Sequence, residues 1–199
     1  MYSLLTQLFL VLAFARVVAF VANVMEKITS EDLLRQYDAG QRNFHNCDLQ
    51  DAYLFEANLA GIDLSGSNLN RSHLPYANLT QATLKQVHLC FAELGDAQLC
   101  QADLRQADLQ GANLRRANLR LADLQGSNLS NAILQAADLR GANLAQCNLQ
   151  GADLSRANLQ EANLAGANLG GVNLFRAQQV DLSQALTDET TIYPDGYHS

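Results

Sequence analysis

The chain has 199 residues and a formal net charge of −7, and it contains no tryptophan. Its length suits one domain with a substantial core, and its acidic balance argues against general nucleic-acid binding, which basic proteins usually perform. Ala, Leu, Asn, Asp and Gln dominate the composition, and a bias of this kind indicates a repeated unit.

The first segment, residues 1–25, is hydrophobic, and only four side chains between positions 4 and 24 are polar. A signal peptide would be cleaved after Ala13-Phe14-Ala15, although no basic residue precedes its apolar stretch. A membrane helix has adequate length, but Arg16 near its centre costs about 2.5–3.5 kcal/mol on insertion scales. A translation start at Met25 and a helix packed against the rest of the molecule are the other interpretations.

These interpretations place the protein in different compartments. A start at Met25 would make it cytoplasmic, whereas a translated N-terminal segment would make it membrane-associated, through residues 4–24, or exported.

The second segment, residues 26–41, is predicted to be a capping helix and a lead-in. Residues 29–37 have the pattern of a short capped helix, and Gly40 follows as a stop signal. The apolar side chains of this helix, Leu33, Leu34 and Tyr37, would lie over the start of the repeat that follows. Phe44 would form an enlarged plug there.

From Phe44 onward the sequence repeats every five residues without interruption. Residues 42–176 contain 27 consecutive units, with Leu at 26 centres and Phe at the first. Two positions before the centre, 18 units have Ala, and one position before it, 20 units have Asn or Asp. The consensus is therefore Ala-(Asp/Asn)-Leu-x-x.

A period of five fits neither regular secondary structure. Five residues advance an α-helix by about 500°, which spreads the Leu side chains around the whole circumference. An odd period also sends every second Leu of a flat strand to solvent. Burying each Leu stabilises the fold by about 1.5–3 kcal/mol, so both alternatives lose too much. A chain that turns a corner once per unit points every Leu, and the residue two before it, inward.

This consensus resembles the pentapeptide-repeat family, and the lead-in at residues 39–44 is similar to that of many cyanobacterial members. The resemblance implies an all-β solenoid, a right-handed quadrilateral parallel β-helix with four units per coil. The 27 units would then make nearly seven coils and a rod about 30 Å long. On this basis the β-helix is predicted over residues 42–182.

Residues 183–199 are predicted to be a C-terminal cap and tail. The register slips after Arg176, Val180 and Leu182 restart a partial coil, and residues 190–196 have the pattern of a closing strand and turn. Many family members dimerise through a C-terminal helix, which this sequence does not predict. We therefore expect a monomer or a weak dimer.

The residues that commonly carry chemistry form no catalytic or ligating pattern. Cys47 and Cys147 are predicted to point inward about 24 Å apart, and Cys90 and Cys100 to face outward on opposite sides, so all four are expected to be free thiols. No pair of histidines has metal-ligand spacing on one side, and no nucleophile or phosphate-loop motif is present. We expect no enzymatic activity, cofactor or metal.

The family resemblance suggests two functional classes, a protein-interaction scaffold and a DNA mimic that binds topoisomerases such as gyrase. A DNA mimic needs a dense outward array of carboxylates, but residues 42–176 contain 12 acidic and 10 basic residues, and eight of the acids precede a Leu. The sequence therefore favours a non-enzymatic scaffold that binds an unknown protein partner, with no direct nucleic-acid binding. The gyrase-binding DNA mimic and a membrane-tethered scaffold are the alternatives.

Two groups of outward residues are candidate interaction sites. One is a row of arginines on a single column, which could bind an acidic partner or an anionic membrane: Arg116, Arg156 and Arg176. The other is an apolar patch on neighbouring columns, which could alternatively pack under an N-terminal helix: Tyr53, Phe55, His73, Pro75 and Tyr76. Arginines near the stacked Asp103 and Asp123 have a simpler expected role, since Arg105 and Arg120 would relieve the repulsion between these carboxylates.

Overall fold

The fold was obtained as a computed structural model, which describes residues 25–198. Residues 1–24, with the hydrophobic helix predicted there, lie outside the described residues. Among residues 25–198, no helix is both long enough and apolar enough to cross a bilayer.

The repeat forms a coil that closes every four units. From Asn43 to Asn158, the residue before each central position forms a parallel bridge with the residue 20 positions later, as Asp63 does with Thr83. The Leu64 amide donates to the Thr83 carbonyl at 2.9 Å, and the Thr83 amide donates to the Ile62 carbonyl at 2.8 Å. Each side is too short for a continuous strand, so the sheet consists of stacked single bridges. One corner per unit agrees with the geometry inferred from the period, and four stacked sides agree with the fold that the family resemblance implies.

The core is a column of leucines that the coils enclose. All 26 central leucines are at most 4% exposed, and Phe44, the first plug, is 1% exposed. The few polar side chains that point inward have partners, as the Ser67 hydroxyl does when it donates to the Phe44 carbonyl at 2.9 Å. Cys47 and Cys147 are buried as predicted, and burial raises the pKa of the Cys147 thiol.

Each corner is a tight turn with a left-handed residue in it. The Ala52 amide donates to the Leu49 carbonyl at 3.0 Å, and the second residue after each central position has a positive φ in all 27 units. This is the pattern of a type II turn, which costs an L-residue free energy at that position and costs glycine none. Eight of the 27 residues are glycine and none is Val, Ile or Thr, so the sequence carries this constraint.

The Asn and Asp residues before the leucines form two kinds of side-chain hydrogen bond. Their Oδ1 atoms accept a hydrogen bond from the backbone two residues later, as Asp63 does from Ser65 at 2.9 Å. Their side-chain amides also donate to the coil below, as Asn78 does to Asn58 Oδ1 at 3.0 Å. These bonds tie each corner to its own coil and each coil to its neighbour.

The N-terminal end is covered by a strand and a helix. The predicted capped helix forms helix α1, Ser30–Asp38, and the Thr29 side chain accepts a hydrogen bond from the Asp32 amide at 3.1 Å. Leu33 and Tyr37 are buried against the first coil, where the Tyr37 hydroxyl donates to the Ala60 carbonyl at 2.7 Å.

A short strand that the sequence did not predict completes this cap. Strand β1 (Glu26–Lys27) pairs in parallel with β2 (Cys47–Asp48). The edge of the first coil is thereby paired on one side, which removes a template for end-to-end association.

The C-terminal end closes irregularly. Leu186 bridges to Asn168 and Ile192 bridges to Asn173, so the ladder extends past residue 182. Val180 and Leu182, which precede Leu186 in the chain, are partly buried against the core. Within the predicted closing segment 190–196, Ile192 supplies a bridge to the last coil and a second, antiparallel bridge to His198.

Candidate interaction surface

Exposed apolar side chains are concentrated on one of the four sides of the rod. Because residues 20 positions apart stack, the side that bears Tyr53, His73 and Asn173 can be followed through all coils. We call this side, with its two bordering corners, the aromatic face. Of the nine exposed large hydrophobic side chains in the described residues, six lie on it: Tyr53, Phe55, Tyr76, Phe91, Ile133 and Phe175.

The predicted apolar patch forms the N-terminal part of this face. The rings of Tyr53 and His73 stack with centroids 5.0 Å apart, and Phe55 stacks on His73 at 6.1 Å. The rings of Tyr76 and Phe55 pack edge to face with centroids 5.8 Å apart. Pro75, which directly precedes Tyr76 in the chain, is half-buried. These separations are those of favourable aromatic pairs, so the rings hold each other in place.

Helix α1 borders this patch without covering it. The Tyr53 amide donates to the Ser30 hydroxyl oxygen at 3.0 Å, which is the point where the helix meets the patch. Tyr53 nevertheless remains 64% exposed and Tyr76 52% exposed. The alternative prediction, that the patch packs under an N-terminal helix formed by the hydrophobic segment, involves residues 1–24, which lie outside the described residues.

The predicted row of arginines lies on a corner of the same face, in the column of Tyr76. Arg116 binds both carboxylate oxygens of Asp96, at 2.8 and 2.7 Å, and this pairing holds the pKa of Asp96 below its usual value. Arg176 lies over the Phe175 ring at 5.0 Å. Arg156 is exposed, and within residues 25–198 it has no ion pair. The three arginines are therefore not equivalent, because the charge of Arg116 is already compensated.

Arginine pairing also neutralises carboxylates elsewhere on the rod. We call four of them the arginine-bound aspartates, since a neighbouring guanidinium hydrogen-bonds each and lowers its pKa: Asp51, Asp96, Asp103 and Asp138. Two of these pairs join adjacent coils, as Arg71 does with Asp51 at 2.9 Å. The other two lie within one coil, as Arg140 does with Asp138.

The expectation for Asp103 and Asp123 is half right. Arg105 approaches both carboxylates, at 2.7 and 3.5 Å, and Lys85 adds a contact with Asp103 at 3.3 Å. Arg120 was wrongly assigned to this pair, because its charge acts on Asp138 on a neighbouring side.

The described residues offer little for catalysis. Among residues 25–198, no group of His, Cys, Asp or Glu side chains could hold a metal ion. Burial, reinforced by Asp108, raises the pKa of the Cys90 thiol to about 11, so the reactive thiolate is disfavoured at neutral pH. A shallow cleft between residues 162–165 and 181–184 is lined mainly by small and amide side chains and contains one carboxylate, Asp181.

Comparison with known proteins identifies the repeat. A family model for pentapeptide repeats matches residues 47–86, 84–120, 97–135 and 137–174, which together make up more than half of the chain. The chain belongs to the pentapeptide repeat family. Pentapeptide repeat proteins fold as right-handed quadrilateral β-helices and are generally non-catalytic scaffolds.

Several solved pentapeptide repeat structures are similar to this chain. HetL from the cyanobacterium Nostoc sp. strain PCC 7120, described as involved in heterocyst differentiation regulation, is 30% identical over 86% of this chain and 100% of its own, with a TM-score of 0.39. The protein alr5209 from Nostoc PCC 7120 is 27% identical over 82% and 98%, with a TM-score of 0.31. QnrB1, a plasmid-mediated fluoroquinolone resistance protein, is 19% identical over 82% and 89%, with a TM-score of 0.49. No curated protein sequence matches the chain significantly.

Sequence reasoning missed that the two candidate groups share one side. The sequence contained the information, because residues 20 positions apart lie in one column once four units per coil are assumed. Phe91, Ile133 and Phe175 extend the patch along the rod and were not singled out.

Proposed function

We propose that this protein is a non-enzymatic scaffold that binds a protein partner through its aromatic face. The observation that supports the proposal is the concentration of six of the nine exposed large hydrophobic side chains of residues 25–198 on one side and its two corners. This face holds five of the twelve outward columns of the coil, so an even distribution would place about four there. Exposed apolar clusters of this kind are typical of interaction surfaces, and Tyr and Phe are enriched in them.

The geometry makes this face a preformed surface. Its backbone is tied to adjacent coils by ladder bonds, such as the bond from the Leu54 amide to the His73 carbonyl at 2.7 Å. Ring contacts among Tyr53, Phe55 and His73 restrict the side chains further. A partner therefore loses little free energy to the ordering of this surface on binding.

The pairing of outward carboxylates with arginines argues against the alternative role as a DNA mimic. Of the four acids at freely outward positions of residues 42–176, Asp51 and Asp96 are each bound by an arginine, and Glu56 and Glu161 have no arginine partner there. Neutralised carboxylates do not reproduce the regular negative charge of a phosphate backbone. We therefore expect no inhibition in a gyrase supercoiling assay, and inhibition at stoichiometric concentrations would favour the alternative.

Removal of the aromatic rings tests the proposal. A variant carrying Tyr53→Ser, Phe55→Ser and Tyr76→Ser should fold, because these side chains are exposed, but should lose at least about ten-fold in partner capture. Leu121→Ser is the matched control, since Leu121 is equally exposed on a corner away from the aromatic face. Circular dichroism verifies folding, and quantitative mass spectrometry compares the proteins captured by each variant. Equal capture by the triple variant and the control would refute the proposal.

A further inference from the structure

We propose that the aromatic face binds a second copy of this chain, with the two rods antiparallel. This inference rests on the proposed function, because it names the partner of the same surface. It is carried by the order of the residues along the face, which is complementary to its own reverse.

The symmetry decides which residues meet. In a two-fold dimer with antiparallel rods, the axis lies in the interface and runs across the face, so each column faces its own counterpart in reverse order. The face has seven coils, from the coil of Tyr53 to that of Asn173. The first coil then lies opposite the seventh, the second opposite the sixth, and the fourth opposite itself.

The corner column places opposite charges and a cation–aromatic pair in contact. It contains Glu56 in the first coil and Arg176 in the seventh, so two Glu–Arg pairs form across the dimer. In the same column, Tyr76 of the second coil meets Arg156 of the sixth. Glu56 and Arg156 have no ion pair within residues 25–198, so both are available to a partner. A guanidinium over a phenol ring is favourable at a desolvated site.

The neighbouring columns are complementary in the same register. Phe55 of the first coil meets Phe175 of the seventh, which joins two of the exposed rings of this face. His73 of the second coil meets Asp153 of the sixth, a donor–acceptor pair. Shifting the register by one coil breaks all four pairings at once, because in each of them the two coil numbers add up to eight.

The centre of the interface is electrostatically less favourable. Arg116 lies opposite its own counterpart, but its bound Asp96 compensates the charge. Arg115 also meets itself there, and its charge acts on the same Asp96. The face is about 30 Å long and about 10 Å between corners, so it buries less than a standard stable interface. We therefore expect a weak dimer, with dissociation in the range of tens to hundreds of micromolar.

Charge reversal tests the pairing of Glu56 with Arg176. Both side chains are exposed, and the corner position of Glu56 accepts arginine at Arg71 and Arg116, so neither substitution should disturb the fold. Glu56→Arg places like charges opposite each other at two sites, and so does Arg176→Glu. Each variant alone should self-associate at least about ten-fold more weakly than the wild type. A mixture of the two restores both Glu–Arg pairs and should associate within about two-fold of the wild type.

The measurement uses the full chain in two forms, one tagged and one untagged. Tagged Glu56→Arg should capture untagged Arg176→Glu but not untagged Glu56→Arg, and sedimentation equilibrium should give the same order. Glu161→Arg and Arg120→Glu make the same charge changes on another corner and should leave self-association unchanged.

The outcomes separate this inference from the proposed function. Rescue in the mixture supports the antiparallel dimer, because a different partner would not restore it. Unchanged self-association of the single variants, no rescue in the mixture, or a wild-type monomer at about 500 μM would overturn the inference. In each of these cases the proposed function is decided separately, by capture with the Tyr53→Ser, Phe55→Ser, Tyr76→Ser variant.

Discussion

Gly126→Ala and Gly111→Ala form a matched pair that tests how the left-handed corners are accommodated. Both glycines occupy the same turn position, with φ of +69° and +64°. At Gly126 the nearest atom to a new methyl group is Gln106 Cγ at 3.8 Å, which is ordinary contact. At Gly111 the Phe91 ring lies 2.6 and 2.7 Å from the new methyl, so the ring must move.

The expected costs follow from these distances. A left-handed L-residue costs about 1–2 kcal/mol, and the stiffer unfolded chain returns about 0.4–1 kcal/mol. Gly126→Ala should therefore lower the free energy of unfolding by about 0–1.6 kcal/mol. Gly111→Ala should lower the free energy of unfolding by about 0.5–1 kcal/mol more, because the exposed Phe91 ring must leave its preferred rotamer and its contact with Gly111.

Urea unfolding followed by circular dichroism measures both changes, with midpoints compared at equal slope. The same substitution in a Phe91→Ala background separates the two terms. There the cost of Gly111→Ala should fall to that of Gly126→Ala. The reasoning is refuted if Gly126→Ala is stabilising, or if the two glycine substitutions cost the same in the wild-type background.

Two further predictions concern the core and the surface charges. Leu114→Ala should destabilise by about 2–5 kcal/mol because it opens a cavity in the leucine column, whereas Leu121→Ala on the surface should stay within about 0.5 kcal/mol; equal effects in urea unfolding would contradict a shared axis. The arginine-bound aspartates have folded pKa values below the unfolded value near 3.9, so their contribution is present above about pH 4 and is lost as the pH falls through the folded pKa values. The urea midpoint should therefore decrease as the pH is lowered from 5 to 2.5. The decrease should be smaller in 1 M NaCl, where the ion pairs are screened. A midpoint that rises on acidification would show that the pairs do not stabilise the fold.

The core of the fold was predictable because the five-residue period admits so few geometries. Leu104, Leu109, Leu114 and Leu119 lie on successive sides and are all at most 1% exposed, as one inward position per side requires. The helix cap at Thr29 was equally local, since a hydroxyl and the amide three residues later are enough to form it.

Strand β1 could not be predicted, for a physical reason. Glu26–Lys27 has two residues and no apolar alternation, so its sequence has no strand signal. It is a strand only because the edge of the first coil presents unpaired backbone groups at Cys47–Asp48. The partners of Asp96 and Arg116 are likewise invisible to local patterns, since they are 20 residues apart.

For the candidate surface, the sequence identified the Tyr53–Tyr76 patch and the arginine column as separate groups. The coil brings both onto one side and adds Phe91, Ile133 and Phe175 to it. The tertiary structure also determines which arginines of the column are ion-paired. Asp96 pairs with Arg116, whereas no carboxylate of the described residues pairs with Arg156.

The amino-acid sequence by itself determined that the backbone bends once in every five residues, because only then do all the leucines leave water together. It also determined where glycine is favoured, since each bend needs a left-handed residue. Which outward side chains become neighbours was decided only by the closure of four units into one coil. Closure sets the 20-residue spacing at which hydrogen bonds, ion pairs and ring contacts form, and this spacing exists in space rather than along the chain.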